Sequence, residues 1–280
     1  MTTKTSIVAS ARLRAVPNLP VLVAGLILLV VLLAAVFPGV FAPVDPTATD
    51  YTMVLRPPDH EHPFGTDQLG RDVYTRVVHG TRASIVIGFG STALGLALGA
   101  AAGLIAAFGW RGVDFIVMRV VDIGLAFPSV LLSLLVLVVL GPGTLNLLVA
   151  IGVSSVPGYA RLIRAEAQRV RASNYVRSAI GFGVRPERIL RTHILPNAFG
   201  PALVLATVSA GTNIIIASGL SFLGFGAPAP TPEWGQILSD GRAVLAGAWW
   251  MSVFPGVAIT LVVVAITVLG HAAERKSSGR

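Results

Sequence analysis

Eight arginines, at positions 161, 164, 169, 171, 177, 185, 188 and 191, crowd the stretch RLIRAEAQRVRASNYVRSAIGFGVRPERILRTHILPN of a chain with only 21 basic side chains in 280 residues. Such a run can recognise anions, in nucleic acid or anionic lipid, or an acidic protein surface. It cannot cradle nucleotide phosphates in the Walker manner. That loop needs a lysine after its glycines, and the only lysines are Lys4 and Lys276, one at each end. The other chemistry-bearing cluster, His60-Glu61-His62, would suit a metal ion. Three adjacent residues do not converge as helix-face neighbours do, however, and Pro57, Pro58 and Pro63 make the stretch an exposed turn. No metal site is expected, and with no cysteine neither a disulfide nor a thiolate site is open to the chain.

The elements that carry these residues are apolar. The chain is 54% hydrophobic and 12% charged, with a mean hydropathy of +0.78, whereas soluble domains carry about 25% charged residues. It reads as a membrane protein. Five stretches lack Asp, Glu, Lys and Arg over the roughly 20 residues a bilayer crossing needs: 15–44, 83–110, 123–160, 192–232 and 243–273. The third contains GPGT at 141–144, which breaks it into a hairpin of two spans. The expected fold is therefore all-α with six transmembrane helices, near 19–41, 84–108, 116–140, 145–162, 198–222 and 248–270, after an N-terminal tail at 1–18. The first span reads as a retained anchor, because its apolar run exceeds a signal-peptide core of about 7 to 15 residues.

Basic residues set the expected orientation. Six spans put both termini on one side, together with Lys4, Arg12, Arg14, Arg111, Arg119, the eight loop arginines, Arg275, Lys276 and Arg280. The other side holds Arg56, Arg71, Arg76, Arg82 and Arg242. The termini and the loop at 163–196 are thus expected in the cytoplasm, and the segment at 43–82 outside, helix-like from about Asp67. Topology accounts for the basic balance, and no nucleic-acid partner is expected.

Topology alone does not account for the length of the loop, since a plain connector takes about 2 to 8 residues. Val176, Ala179, Ile180 and Gly183 recur at spacings of three and four and line up one small, mildly apolar helix face. Gly183 can close that helix in a left-handed cap, and Pro186 can open the next at its first turn. A small-residue face admits a partner backbone, and the arginines around it suit an acidic partner or, alternatively, membrane lipid.

NYVRSAIGFGVRPERILRTHILPN resembles the cytoplasmic signature loop of ATP-binding-cassette importer permeases, whose pattern is Glu-Ala-Ala, three residues, Gly, nine residues, Ile, one residue, Leu-Pro. Ala179, Gly183, Leu195 and Pro196 match it, while Arg177, Ser178 and His193 depart from it. HPFGTDQLGRDVYTRVVHGTRASI (62–85) and LSFLGFGAPAPTPEWGQILSDGR (220–242) are similar to the dipeptide, oligopeptide and nickel group, specifically its shorter permease subunit. Where relatives commonly carry an acid before Ser-Phe-Leu-Gly, this chain has Ala217. The resemblance implies a type I importer permease in the bacterial plasma (inner) membrane. It would couple to ATPase subunits through Arg177, Ser178, Ala179, Gly183, Val184, Pro186, Glu187, Leu195 and Pro196. It further implies a second permease subunit, two ATP-binding subunits that hold ATP and magnesium, and an extracytoplasmic solute-binding protein near segment 43–82. This chain itself would bind no cofactor and catalyse no reaction. Di- or oligopeptides are the expected solutes, with nickel complexes or other small ligands as the alternative.

Within the spans, Gly95, Gly99 and Gly103 recur every fourth residue, the spacing that lets membrane helices pack closely. Asp122 lies near the inner end of its span with Arg119 one turn earlier, a candidate ion pair at an inner gate. Asn146, Ser154, Ser155, Thr212, Asn213 and Ser218 are the candidate path-lining groups. They are too few for a convergent active site, and an ATP-independent transporter would show repeats and mid-membrane charges that are lacking here. Trp249 and Trp250 suit an interfacial aromatic belt.

Overall fold

The computed structural model describes residues 19–278. The tail at 1–18 and Arg280 lie outside that range, as does the side chain of Lys276. Helices make up most of the described chain, joined by irregular segments of which the longest lies between residues 42 and 72, and among the described residues the only β-type pairing is an isolated bridge between Thr66 and Asp72. In order the helices are α1 (Leu19–Val36), α2 (Pro38–Phe41), α3 (Val73–Phe108), α4 (Arg111–Ala126), α5 (Ser129–Leu140), α6 (Thr144–Arg171), α7 (Asn174–Gly181), α8 (Pro186–Ile189), α9 (Leu195–Leu220), α10 (Trp234–Arg242) and α11 (Trp250–Ser278). Five helical segments are long and apolar enough to cross a membrane, and a bent pair, α4 with α5, makes a sixth.

The centre of the bundle is the contact between α3 and α6, the most extensive in the chain. The glycine spacing read from the sequence makes it possible. A Cβ on Gly95 would lie 2.9 Å from the Gly152 carbonyl, one on Gly99 2.9 Å from the Val156 carbonyl, and one on Gly103 2.6 Å from the Ala160 carbonyl. With hydrogens there, the two backbones touch along three successive turns. Dispersion contacts then replace the hydrophobic drive that lipid does not supply between spans. α9 and α11 pack on α3 and on each other through Ala210, Ile214, Val262 and Ile266, all buried.

The stretch expected as one span at 116–140 is two helices bent by 98°. Pro128 accounts for the break. It has no N–H to continue the helix and drives the residue before it into extended backbone, where Phe127 sits at φ −94°, ψ 138°. The hairpin turn after it falls between Leu140 and Thr144, at GPGT. Other helices outrun the apolar stretches that pointed to them, with α3 starting before residue 84 and α6 continuing past 162 to Arg171. The helix expected from about Asp67 begins at Val73. Gly65 and Gly70 take positive φ, and Asp72 caps the helix by accepting from the Thr75 backbone N–H at 2.7 Å. Trp250 is not an interfacial residue: it is 4% exposed and its indole N–H donates to the Thr66 carbonyl at 3.0 Å. Trp249 beside it is half exposed.

Gly99→Leu should overpack the α3–α6 contact, which costs about 1 to 3 kcal/mol or more. We expect a lower thermal midpoint in detergent and reduced protein in membranes, measured against Gly181→Leu, whose Cβ would meet nothing within 4 Å.

Candidate functional site

Two built regions occupy opposite ends of the bundle. At one end the loop from Ala172 to Ile194 is seated on the ends of α3, α6 and α9 by a cluster of Ala107, Ala167, Val170, Val176, Ile189, Ile194 and Ala198. The short helix α7 ends in a complete left-handed cap. Gly183 has φ +74°, Val184 N–H donates to the Ala179 carbonyl at 3.1 Å, and Gly183 N–H donates to the Ile180 carbonyl at 3.0 Å. This pair of bonds ties off the last carbonyls of α7. Pro186 then opens α8 at its first turn.

The expected docking face is split by this packing. Val176 is buried and Ala179 half-buried against the bundle, so those two hold α7 in place. Facing away are Arg177, Ser178 and Ile180, followed by Gly181, Phe182 and Gly183. Phe182 is 88% exposed, the most prominent apolar side chain of the loop, and periodicity had not singled it out because it lies at the cap, past the helical repeat. Arg185, Pro186, Glu187 and Arg188 are exposed beside it, and Val184 is half-buried. Leu195 and Pro196 lie apart from this tip, in the first turn of α9 beyond a π-helical stretch at Leu190–Ile194. They set where the chain re-enters the bundle. A polar groove of about 700 Å³, lined by Arg169, Ser173, Tyr175, Pro196, Asn197 and Gly200, flanks α7.

The proposed partnership of Arg119 with Asp122 is not formed. Asp122 pairs with Arg161 of α6, while Arg119 stacks over the Phe115 ring, 5.3 Å from its centroid. A second pair joins the same helices, with Arg164 donating through Nε and Nη2 to the two oxygens of Asp114, each at 2.6 Å. Sequence spacing favoured a partner on the same helix, and these partners are 39 and 50 residues away. Of the path-lining candidates, three are enclosed within the chain. Ser154 shares a hydrogen bond with Ser133 at 2.7 Å, Asn213 donates to Thr92 at 2.9 Å, and Ser218 is buried. Asn146 holds the hairpin turn by donating to the Leu140 carbonyl at 2.9 Å. Ser155 is half-buried and Thr212 exposed.

At the opposite end, the segment before α3 folds onto α10 through buried charges that the sequence reading did not assign. Asp67 Oδ2 lies 2.6 Å from Arg71 Nε and 3.5 Å from Arg76 Nε, and Asp240 Oδ2 lies 3.6 Å from Arg76 Nη2. Arg76 is 2% exposed. Two guanidiniums against two carboxylates leave the cluster neutral, and their attraction offsets part of the desolvation cost of burying charge. Gln68 adds a bond to the Asp240 carbonyl at 2.8 Å, and the Trp234 indole donates to the Val77 carbonyl at 2.9 Å. Close by, Glu233 is 1% exposed. Its Oε2 accepts from Ser221 Oγ at 2.8 Å and from the Ala227 N–H at 3.1 Å. These donors flank Gly224, where φ reaches +95° and the helix running on from α9 breaks. The carboxyl therefore pins both sides of the break. His62 Nδ1 sits 3.0 Å from Asp72 Oδ1, within the turn region read from the sequence.

Burial raises the Glu233 carboxyl above its ordinary value of 4.5, against the lowering effect of its two hydrogen bonds. Burial likewise raises Asp240, and Gln236, Arg76 and Arg71 offset this in part.

Residues 95–278 match the family described as binding-protein-dependent transport system inner membrane component. A dipeptide transport system permease protein of Alkalihalophilus pseudofirmus is 40% identical, over 86% of this chain and 81% of its own. A di/tripeptide transport system permease protein of Pseudomonas aeruginosa is 38% identical, over 88% and 83% respectively. The inward-facing MetNI methionine ABC transporter shares the fold, with a TM-score of 0.57 at 20% identity over 73% of this chain and 95% of that one.

A raised carboxyl favours the folded state while protonated, and that contribution is lost as pH rises from about 4.5 through the raised value. Glu233→Gln does not titrate. We expect its thermal midpoint to match the parent near pH 4 and to exceed it by a few degrees near pH 8, read by a melting series in detergent. Equal midpoints across the range would count against a Glu233 carboxyl raised by burial.

Proposed function

This chain belongs to the binding-protein-dependent transport inner membrane component family, and from that membership we propose that it forms half of a path for di- or oligopeptides in a bacterial importer. It is a multi-pass permease component of the inner membrane. A second permease would supply the other half of the path, two ATPase subunits would supply ATP hydrolysis with magnesium, and an extracytoplasmic binding protein would deliver solute. The loop end of the bundle lies in the cytoplasm on this reading, with segment 43–72 and α10 outside.

The observation that carries the reading is the tip of α7. A bare phenylalanine among arginines, held out on a helix whose cap is complete and whose inner face is already packed, is a surface prepared for a partner. Pre-packing matters for coupling. Because Val176 and Ala179 fasten α7 to α6 and the adjoining loop, force on the tip reaches the bundle instead of bending the loop. ATPase states that bind the tip with different affinity would shift the permease between its conformations, since only differential binding moves an equilibrium. The peptide solute is supported by the names of the relatives. Thr212 and Ser155 are the polar candidates from the spans left accessible to such a path, which the partner permease would complete.

The test is purification of the tagged chain in mild detergent with mass spectrometry of what accompanies it, and ATP hydrolysis measured with and without dipeptides and the binding protein. We expect a second permease, two ATPases and peptide-stimulated hydrolysis. Phe182→Glu and Gly183→Arg should each weaken ATPase recovery by about tenfold or more, the scale of losing one aromatic anchor, while membrane insertion is kept. ATPase recovery unchanged in both would refute the assignment of the tip.

A further inference from the structure

α4 has the smallest share of buried residues among the helices that contribute to a candidate span. Among its residues only Val121 is buried. Behind it lies an apolar cavity of about 480 Å³, lined by Ile116, Val120 and Gly124 on its own side and by Leu98, Val153 and Pro157 on α3 and α6. Both of its ends are extended joints, at Trp110 (φ −68°, ψ 161°) and at Phe127 (φ −94°, ψ 138°). By contrast, its neighbour α5 is fixed to α6 by the fully buried Leu137 and by the Ser133–Ser154 hydrogen bond. Besides the close approach of Gly124 to Pro157, two ion pairs cross from α4 to α6: Asp114 to Arg164, and Asp122 to Arg161. The two arginines stand three residues apart on α6 and the two acids eight apart on α4, so the pairs form two rungs between the helices. All four groups are partly exposed, where an ion pair is weak enough to break and re-form.

α6 runs on unbroken from these rungs to Arg171, and α7 starts at Asn174. Val176 of α7 packs on Ala167 and Val170 of α6. We propose that α4 is a hinged strut latched to α6 by the Asp114–Arg164 and Asp122–Arg161 pairs, so that displacement of α7 by a partner carries α4 with it and moves the loop-end mouth of the path. The four residues are positioning residues for transport. They touch no nucleotide, and they act by making two helices that share little buried packing move as one. The cavity behind α4 is the space into which the strut swings when the latch opens. This inference rests on the importer reading of the loop.

The chain has no cysteine, so a pair introduced at Phe115 and Ala165, both exposed, can carry spin labels without background. In the full complex reconstituted in vesicles, we expect the α4–α6 distance to be the same with and without ATP. In Asp114→Asn/Asp122→Asn it should change with ATP, while solute moved per ATP falls about tenfold and complex yield and basal hydrolysis stay. The exchange Asp114→Arg/Arg164→Asp should recover transport relative to either single change. Transport per ATP unchanged in the double asparagine variant overturns the latch. So does loss of complex yield without rescue by the exchange, because the pairs would then serve only folding. A parent complex that hydrolyses ATP without moving solute overturns the importer reading instead, which separates the two failures.

Discussion

The whole arrangement depends on α3 and α6 touching backbone to backbone. In lipid, one apolar side chain gains little by facing another instead of an acyl chain, so spans associate by close fit. The three glycines of α3 supply that fit, and they do so against Gly152, Val156 and Ala160 of α6 over three turns. Everything else is hung on this pair. α10 and the segment before α3 fold against the start of α3, and the arginine-rich loop is seated where α3 and α6 end together. A slip of one turn between the two helices would displace both ends at once.

The two ends handle charge in opposite ways. Next to α10, Asp67, Arg71 and Arg76 are buried and, with the half-buried Asp240, mutually cancelled, an arrangement that holds one geometry because an unpaired member would be costly to leave behind. At the loop end most arginines face outward and the ion pairs are partly exposed, which leaves them free to meet a partner or to exchange. Burial makes the α10 end the more tightly held of the two. Glu233 belongs with that end, since its carboxyl closes the break at Gly224 that turns the chain from α9 toward α10.

The loop itself shows how an exposed tip is held in place by few residues. Burying Val176 and half-burying Ala179 uses up the inner face of α7, and the cap at Gly183 satisfies its last carbonyls, so Phe182 is held clear of the bundle without strain.

Much of this could be read from residues in order. Charge-free runs located the spans because crossing a bilayer needs a local length of apolar chain, GPGT marked the hairpin, Gly95-Gly99-Gly103 marked the close contact, and Gly183-Pro186 marked the end of one short helix and the start of the next. Each of these signals is local, a matter of backbone freedom or hydropathy within a few residues. Pairings between distant segments were not legible. Asp122 had a plausible neighbour in Arg119, yet it meets Arg161, and nothing local announced that Asp114 meets Arg164 or that Asp67 shares two arginines with Asp240. Trp250 looked interfacial by position and is buried because the turn at Thr66 folds over it. The direction of a helix face and the partner of a charge depend on where other segments come to lie. Sequence determined which pieces are long and apolar enough to cross a membrane, because that is a matter of local hydropathy, and tertiary packing decided where the helices run past those pieces, which charges meet and which side of α7 stays exposed.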